Sequence, residues 1–196
     1  KFSLGNDIRV STLLRCPEVL TMEEQTLNEE ELWNGLEKAL FGAIGQFVET
    51  RTQEGRNLRE DILKKLDGML KLVDFIEERS PQIVAEYREK LENKVRELLA
   101  DTQIEEGRIA AEVVIFADKI CTDEEIVRLR SHVVHMKETL QSEESGIGRK
   151  LDFIAQEMNR EANTILSKAN DLEVSNAGID LKTEIEKVRE QIQNIE

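Results

Sequence analysis

Apolar residues recur at intervals of three and four along most of the chain, which is the spacing that places them on one face of an α-helix. The longest series extends from Glu29 to about Arg79, and Gly55 interrupts it. Its apolar members are Leu32, Leu36, Leu40, Ile44, Phe47, Val48, Leu58, Ile62, Leu66, Leu70, Val73 and Ile76. A short helix over Ser3–Leu14 would precede the series and end at Cys16-Pro17. No strand-like alternation of useful length occurs, so the pattern predicts an all-α chain.

Pro81 is the strongest signal for a change of direction in this series. Proline is accepted at the first position of a helix but destabilises a helix interior, so Ser80-Pro81 indicates the end of one helix and the start of another. The second helix would run to Leu99 and pack back along the first. The predicted fold is therefore all-α, with a long antiparallel helical hairpin, a smaller C-terminal helical bundle and helices long enough to oligomerise. The predicted regions are an N-terminal helix and linker (1–28), the hairpin (29–100) and the C-terminal helical domain (101–196).

The C-terminal region contains further periodic segments. Glu105–Asp118 opens it, and Thr122 with Glu125 three residues later has the pattern of a capping box for the next helix. That helix would bury Ile126, Leu129, Val133, Met136 and Leu140. A polar turn leads to a helix whose apolar stripe is Leu151, Ile154, Ala155, Met158, Ala162, Ile165 and Ala169. Asn176 and Gly178 mark a candidate break before a last, heptad-like series of Ile179, Leu181, Ile185, Val188, Ile192 and Ile195.

Composition narrows the classes of function. The chain has 196 residues and a formal net charge of −14, so its whole surface does not attract nucleic acid by bulk charge. Any anionic ligand needs a local basic site, or a basic surface on a region outside this chain. Cys16 and Cys121 match no metal or disulfide spacing and are interpreted as small apolar residues. No signal peptide and no apolar run long enough to span a membrane is present, which favours a cytoplasmic protein with no membrane partner.

The segment from Gly148 to Asp171 carries an unusually varied polar face. Six of its polar side chains, spaced three or four residues apart, line one ridge: Arg149, Asp152, Gln156, Arg160, Asn163 and Ser167. Beside them are Lys150, Glu157, Glu161, Thr164 and Lys168. This set contains four basic and three acidic residues, so the segment is less acidic than the chain as a whole but is not a strongly basic patch.

A second polar ridge lies on the preceding helix, where Glu124, Arg128, Ser131, His132 and His135 share a face. If the two helices pack antiparallel through their apolar stripes, the two ridges border one cleft. Carboxylates hold divalent ions, arginine neutralises phosphate charge, and histidine transfers protons near neutral pH. Such a cleft suits phosphodiester chemistry.

The same spacings also have a purely structural interpretation. Glu124–Arg128 and Asp152–Gln156 are ordinary surface pairs four residues apart, each worth about a few tenths of a kcal/mol. His132 is, on this interpretation, a solvated or capping residue. Spacing alone leaves both interpretations open.

Three segments resemble a known family. EEIVRLRSHV (Glu124–Val133), GRKLDFIAQEMNREANTILSKANDLE (Gly148–Glu173) and the C-terminal KVREQIQNIE are similar to the C-terminal domain of the YicC/YloC family of bacterial endoribonucleases. LLRCPEVL near the start and RTQEGRNLREDI around Gly55 extend the resemblance over nearly the whole chain.

The resemblance implies several properties. Members of the family are cytosolic bacterial proteins that cut single-stranded or structured RNA and influence small regulatory RNAs. They assemble into hexamers that close around RNA, and their activity is associated with a divalent metal, Mn²⁺ or Mg²⁺. Other RNA-decay enzymes are candidate partners. The family also has an N-terminal α/β domain, which we expect to precede Lys1.

Matching positions carry the implied roles. The predicted catalytic residues are His132, as general acid or base, with Glu157 and Arg160. The predicted metal ligands are Glu112, Asp152 and Glu157. The predicted RNA contacts are Arg128, Arg149, Lys150, Gln156, Asn163 and Lys168. Two positions depart from the family pattern, because Cys121 replaces an acidic residue and Leu166 replaces a glycine; the first change removes one candidate metal ligand.

Two other functions compete with an endoribonuclease. A non-catalytic RNA-binding adaptor would use the same arginines and lysines without the histidine or a metal. A structural oligomerisation module would use the polar ridge as a hydrogen-bond network between subunits.

Overall fold

The computed structural model describes residues 5–6, 8–22, 28–99, 106–142 and 146–195. Within those ranges the chain forms α-helices and no β-strand, which confirms the predicted all-α class. The helices are α1 (Val10–Leu13), α2 (Glu29–Leu99), α3 (Glu106–Ile120), α4 (Asp123–Gln141), α5 (Gly148–Lys168) and α6 (Leu172–Ile192). The predicted helix over Ser3–Leu14 is observed only as α1, and part of that prediction lies outside the described residues. None of the described helices is both long and apolar enough to cross a membrane.

The predicted hairpin is wrong, because α2 is one continuous helix of 71 residues with Pro81 in its interior. An interior proline costs about 3 kcal/mol, so packing must hold the helix on both sides of it. Ile76 and Ile83 flank the proline and are buried in the same core, and burying one such side chain contributes about 1.5–3 kcal/mol. Arg79 also bridges the proline, with hydrogen bonds of 2.6 and 3.1 Å to Glu86. Tertiary packing therefore outweighs the local proline signal.

Contacts divide the chain into two units, Lys1–Thr50 and Arg51–Glu196. In the second unit the middle of α2 packs with α4, α5 and α6 around one core. Lys137 of α4 donates to Asp67 of α2 at 2.5 Å, and Gln191 of α6 donates to Asp61 of α2 at 2.5 Å. With Arg130 of α4 bonded further along α2, these pairs make α4 antiparallel to α2. Helices α4, α5 and α6 thus share one four-helix core with the middle of α2.

The predicted apolar stripes form the core of this bundle. The buried residues are Ile62, Leu66, Met69, Val73 and Ile76 of α2, Ile126, Leu129, Val133, Met136 and Leu140 of α4, Leu151, Ile154, Ala155, Met158, Ala162 and Ile165 of α5, and Val174, Leu181, Ile185, Val188 and Ile192 of α6. Ile179 is the exception among the predicted residues of α6, because it is exposed. Tyr87 of α2 stacks on Phe116 of α3 with ring centroids 3.7 Å apart, which adds α3 to the same unit.

α6 runs without a break through Asn176 and Gly178, so the candidate break at these residues is absent. A Cβ on Gly178 would lie 3.2 Å from Leu166 Cδ1, so this glycine allows close contact between α6 and α5. The chain instead turns just before α6, where Asp171 is the N-cap. Its side chain accepts hydrogen bonds from the backbone N–H groups of Glu173 and Val174 at 3.0 and 3.1 Å.

Large apolar side chains of α2 are exposed in the first unit, whereas in the second unit many of them form the core of the bundle. Every large apolar side chain of α2 in this unit is exposed within the described part of the chain: Leu32, Trp33, Leu36, Leu40, Phe41, Ile44, Phe47 and Val48. The sequence predicted this apolar face correctly, but no described residue of the unit buries it.

The groove between α4 and α5 as a candidate functional site

α4 and α5 run antiparallel, which is the condition under which the two polar ridges border one cleft, and they carry polar side chains along a shared edge. Lys168 lies beside Glu125 and Arg128 lies beside Glu161, with closest charged atoms 2.8 and 3.7 Å apart. One further turn along both helices from the second pair places His132 level with Glu157. We call this edge the α4–α5 groove. Its residues are Glu124, Glu125, Arg128 and His132 from α4, and Glu157, Glu161 and Lys168 from α5.

At one end of the groove, Lys168 holds a buried carboxylate. Its Nζ donates to Glu125 Oε1 at 2.8 Å and to the Cys121 carbonyl at 2.9 Å. Burial acts to raise the pKa of Glu125, but the hydrogen bond and positive charge of Lys168 outweigh burial and hold that pKa below its usual value. The same hydrogen bond raises the pKa of Lys168. The predicted RNA contact Lys168 is therefore engaged within the chain, where it ties α5 to α4.

The predicted capping box is wrong. Thr122 is the N-cap residue of α4, but its side chain makes no capping hydrogen bond, and Glu125 is directed to Lys168 instead. Thr122 Oγ1 and Glu125 Oε2 are buried and have no hydrogen-bond partner in the described part of the chain. In the bond to Lys168 both partners are charged, whereas in a capping box the backbone N–H donor is neutral, so the bond between the helices is the stronger of the two.

Arg128 lies in the middle of the groove between two carboxylates. It donates to Glu124 Oε1, and its Nη1 is 3.7 Å from Glu161 Oε1. The negative charge of Glu124 is the largest influence that raises the pKa of Arg128. The Arg128 side chain is 51% exposed, whereas that of Glu161 is 11% exposed. A buried carboxylate thus orients an accessible guanidinium, the group that contacts phosphate most effectively.

The three predicted catalytic residues lie further along the same edge. Glu157 Oε1 accepts a hydrogen bond from Arg160 Nη1 at 2.7 Å, and the Arg160 side chain is 74% exposed. His132 is half-buried and makes no hydrogen bond or ion pair with any described residue. The structure therefore brings His132 and Glu157 to one level of the groove, with Arg160 at its rim, without joining them in a hydrogen-bonded triad.

The predicted metal ligands Glu112, Asp152 and Glu157 are not assembled in this chain. Glu112 of α3 accepts from the Tyr87 hydroxyl at 3.4 Å, and Asp152 accepts from Arg189 of α6 at 3.0 Å. Positions five residues apart on a helix are separated by about 140° of rotation, so Asp152 faces α6 while Glu157 faces α4. Among the described residues, no three His, Cys, Asp or Glu side chains form a group that fits a metal ion.

The predicted single ridge of α5 is divided between two flanks. On the α6 flank, Gln156 donates to Asp152 at 2.7 Å and Asn159 donates to Glu186 at 2.6 Å. Asn163 extends this chain of bonds by donating to Asn159 at 3.3 Å. The predicted RNA contacts Arg149 and Lys150 are exposed in the first turn of α5. Of the predicted RNA contacts, only Arg128 and Lys168 lie in the groove.

Sequence reasoning missed the polar residues that fix the helices to one another. Arg79 of α2 donates to Asp171 at 3.0 Å and is also paired with Glu86 and Glu173. The hydrogen bond to Glu86 is the largest influence raising the pKa of Arg79. An aspartate followed by leucine and glutamate at the start of an apolar series is an N-cap signal that could have located Asp171. No local pattern could have found Arg79, whose partner Asp171 lies 92 residues away.

Comparison with known proteins connects this architecture to a family. A family model described as "Endoribonuclease YicC-like, C-terminal" matches residues 76–196, and one described as "Endoribonuclease YicC-like, N-terminal region" matches residues 1–60. "Probable endoribonuclease YicC" of Clostridioides difficile (strain 630) is 44% identical over 197 residues, which are 100% of this chain and 67% of the relative. The protein of the same name from Haemophilus influenzae (strain ATCC 51907 / DSM 11121 / KW20 / Rd) is 33% identical over 192 residues, 97% of this chain and 64% of the relative.

The fold and the groove define an all-α protein with a four-helix bundle and one accessible arginine oriented by carboxylates. The chain belongs to the YicC-like endoribonuclease family. It spans about two thirds of the length of the curated relatives. The family model for the N-terminal region matches residues 1–60, a longer stretch than the N-terminal helix and linker predicted at residues 1–28.

Proposed function

We propose that this chain is part of an endoribonuclease that cleaves RNA phosphodiester bonds, and that the RNA backbone lies along the α4–α5 groove. The observation that carries the proposal is Arg128, an exposed guanidinium held between Glu124 and the buried Glu161, one turn from His132. The names of the relatives, probable endoribonucleases, support the same activity. Single-stranded or structured RNAs, including small regulatory RNAs, are the proposed substrates.

Several polar residues of the groove have their own proposed roles in cleavage. Arg128 neutralises the charge that develops on the phosphate oxygens, since a guanidinium binds a phosphate through two parallel hydrogen bonds. His132 moves the proton of the attacking or leaving oxygen, because an imidazole changes its protonation state near neutral pH. Glu161 acts through Arg128 and is a positioning residue. Arg160, exposed at the rim, contacts a neighbouring phosphate.

One observation favours the adaptor function. A catalytic histidine is usually oriented by a hydrogen bond to one ring nitrogen, and His132 has no such bond within the described residues. An RNA-binding adaptor needs only the guanidinium groups. Cleavage and binding must therefore be measured separately.

Metal dependence is part of the proposal through the family resemblance alone. Glu112, Asp152 and Glu157 do not fit a divalent ion within one chain, since each carboxylate has a different partner. The proposal therefore assigns no step to the metal. Cleavage measured with Mn²⁺, with Mg²⁺ and with a chelator tests whether the activity needs an ion.

Assembly into a hexamer is also proposed, and the exposed apolar face of α2 in the first unit supports association of copies. Leu32, Leu36, Leu40, Ile44 and Phe47 are all exposed along it, and a continuous apolar face of this kind marks an interaction surface. Light scattering of the full-length protein gives the number of subunits. A monomer at micromolar concentration would contradict this part of the proposal.

The deciding experiment compares an arginine in the groove with one on the other flank of α5. Full-length protein is incubated with a labelled RNA hairpin that carries a single-stranded tail, and cleavage is followed for wild type, Arg128→Gln and Arg189→Gln. We expect Arg128→Gln to lower the cleavage rate about 100-fold, the loss typical of one charge-stabilising group. Arg189, which pairs with Asp152 towards α6, is the matched control and should keep the rate. If the two variants cleave RNA at equal rates, the groove is not the site of cleavage.

A further inference from the structure

A pocket lies at the opposite end of the bundle from Lys168 and Asp171. Its volume is about 390 Å³, which is within the range of pockets that bind small ligands. It is bounded by residues 51–59 of α2, the end of α4, the residue before α5 and the two residues Asn194 and Ile195 that follow α6. Its apolar lining consists of Leu58, Leu140, Ile147 and Ile195.

The α2 side of the pocket has a gap in its side chains. Arg51, Gly55 and Arg59 are four residues apart, so they share one helix face, and the two arginines are about 12 Å apart along the axis. A Cβ on Gly55 would meet no atom within 4 Å. Glycine destabilises a helix interior, and packing gives no reason for it here. Gly55 lines the pocket and leaves the space between the two arginines without a side chain.

The polar lining of the pocket contains two arginines and one carboxylate, that of Glu54, with Thr52 and Asn194 as neutral groups. Arg51 Nη1 is 3.6 Å from Glu54 Oε2, and Arg59 forms no ion pair with a described residue. Asn194, at the C-terminal wall, offers an amide with both a donor and an acceptor. The pocket therefore combines two guanidinium groups, one carboxylate, an amide and an apolar floor, which leaves it with one net positive charge in a chain whose net charge is −14.

We infer that this pocket binds a single nucleotide unit of an RNA strand. The base lies on the apolar floor beside Asn194, and its flanking phosphates contact Arg51 and Arg59. A simple anion would use the arginines but would leave the apolar floor exposed, whereas a nucleotide covers both. The inference rests on the proposed function for its substrate class, and it gives a role to RTQEGRNLREDI, a segment that the groove does not use.

The test measures RNA affinity rather than cleavage. Binding of a fluorescent single-stranded RNA with 2′-O-methyl riboses, which resists cleavage, is followed by anisotropy at several salt concentrations. Arg59→Ala should weaken binding about tenfold and lower the slope of log affinity against log salt by about one, as expected for one lost phosphate contact. Gly55→Leu should weaken binding to a similar extent by filling the pocket, and the open space around Gly55 lets this variant fold.

Arg56→Ala is the matched control, because Arg56 is exposed on the same stretch of α2 but does not line the pocket. It should keep the affinity within about twofold. If Arg59→Ala and Gly55→Leu both bind as wild type does, the inference is overturned while the proposed function stands. If the wild type binds no RNA, both fail. A free mononucleotide that binds in an Arg59-dependent manner, beside RNA binding that ignores Arg59, would also overturn the inference.

Discussion

The two flanks of α5 have similar polar compositions but different burial. On the α4 flank, Glu125 and Glu161 are buried and each lies beside a basic side chain, Lys168 or Arg128. On the α6 flank, Asp152 and Arg189 are each 37% exposed. An exposed pair is screened by water, whereas a buried carboxylate must keep its partner or lose stability. The two flanks therefore differ in the burial of the acidic partner rather than in the number of charges.

The largest expected effect concerns the two histidines of α4. His132→Gln should lower RNA cleavage about 100-fold, because it removes a proton-transfer group from the groove. The exposed His135 is the matched control, and His135→Gln should leave cleavage unchanged. Anisotropy with uncleavable RNA should show equal affinity for both variants. Full cleavage by His132→Gln would show that His132 does not transfer the proton, whereas absence of cleavage by wild type would favour the adaptor function.

Removing the amine from the α4 flank should give the largest change in stability. Lys168→Met leaves Glu125 buried without its partner, and we expect the free energy of unfolding in urea to fall by about 2 kcal/mol. That value is below the roughly 3–5 kcal/mol of a fully buried pair, since the Lys168 side chain is 33% exposed. Lys187→Met is the control, because the ion pair that Lys187 makes with a described residue is to Glu184 on its own helix. If the Lys168→Met protein is as stable as the control, the ion pairs on the two flanks of α5 do not differ in how much they stabilise the fold.

The same pair predicts how stability depends on pH. The pKa of Glu125 in the folded chain lies below its ordinary value of 4.5, so the carboxylate binds fewer protons in the folded state than in the unfolded state. Its stabilisation is complete above that ordinary value and is lost as the pH falls through the lower, folded pKa. Wild type should therefore exceed Glu125→Gln in free energy of unfolding at pH 7, and the difference should shrink below about pH 4.5. A difference that stays constant with pH would contradict this assignment.

The smallest effects should come from the α6 flank. Asp152→Asn removes an exposed partner of Arg189 and Gln156, and we expect no measurable change in Tm. The interface between α5 and α6 should also tolerate substitution with little loss of stability. Gly178→Ala places a Cβ 3.2 Å from the end of the flexible Leu166 side chain, so a small shift relieves the contact and the free energy of unfolding changes by less than about 1 kcal/mol. A large loss of stability from either substitution would show that the α6 flank also contains contacts that the fold requires.

Helical periodicity predicted the core well because burial repeats with the period of the helix. The apolar stripes of α4 and α5 were identified almost residue by residue, whereas the antiparallel packing of these helices was only assumed. The hairpin at Pro81 and the candidate break at Gly178 were not found in the structure, because both rest on local backbone preferences. Burial of Ile76 and Ile83 on either side of Pro81, and the contact of Gly178 with Leu166, are contributions from distant parts of the chain.

The candidate site was predicted less well than the fold. A helical-wheel ridge cannot show which neighbour each edge of α5 meets, so Asp152 was assigned to the same site as Glu157 although it faces α6. Burial of a charged residue is also invisible in spacing, and Glu125 was therefore interpreted as a capping residue. Arg128 and His132 could be placed beside the groove from the sequence because they lie at the edge of an apolar stripe that the sequence does display; their roles stay predictions.

The pairing of α2 with the last helix has a consequence for synthesis. Gln191 meets Asp61 across 130 residues, and Arg79 meets Asp171 across 92. On the ribosome, the apolar face from Ile62 to Ile83 therefore emerges long before the helices that cover it, and such late contacts slow folding and leave apolar surface exposed. A nascent chain stopped before α6 would have that face only partly covered, by α4 and α5, which makes α6 the element that completes the bundle.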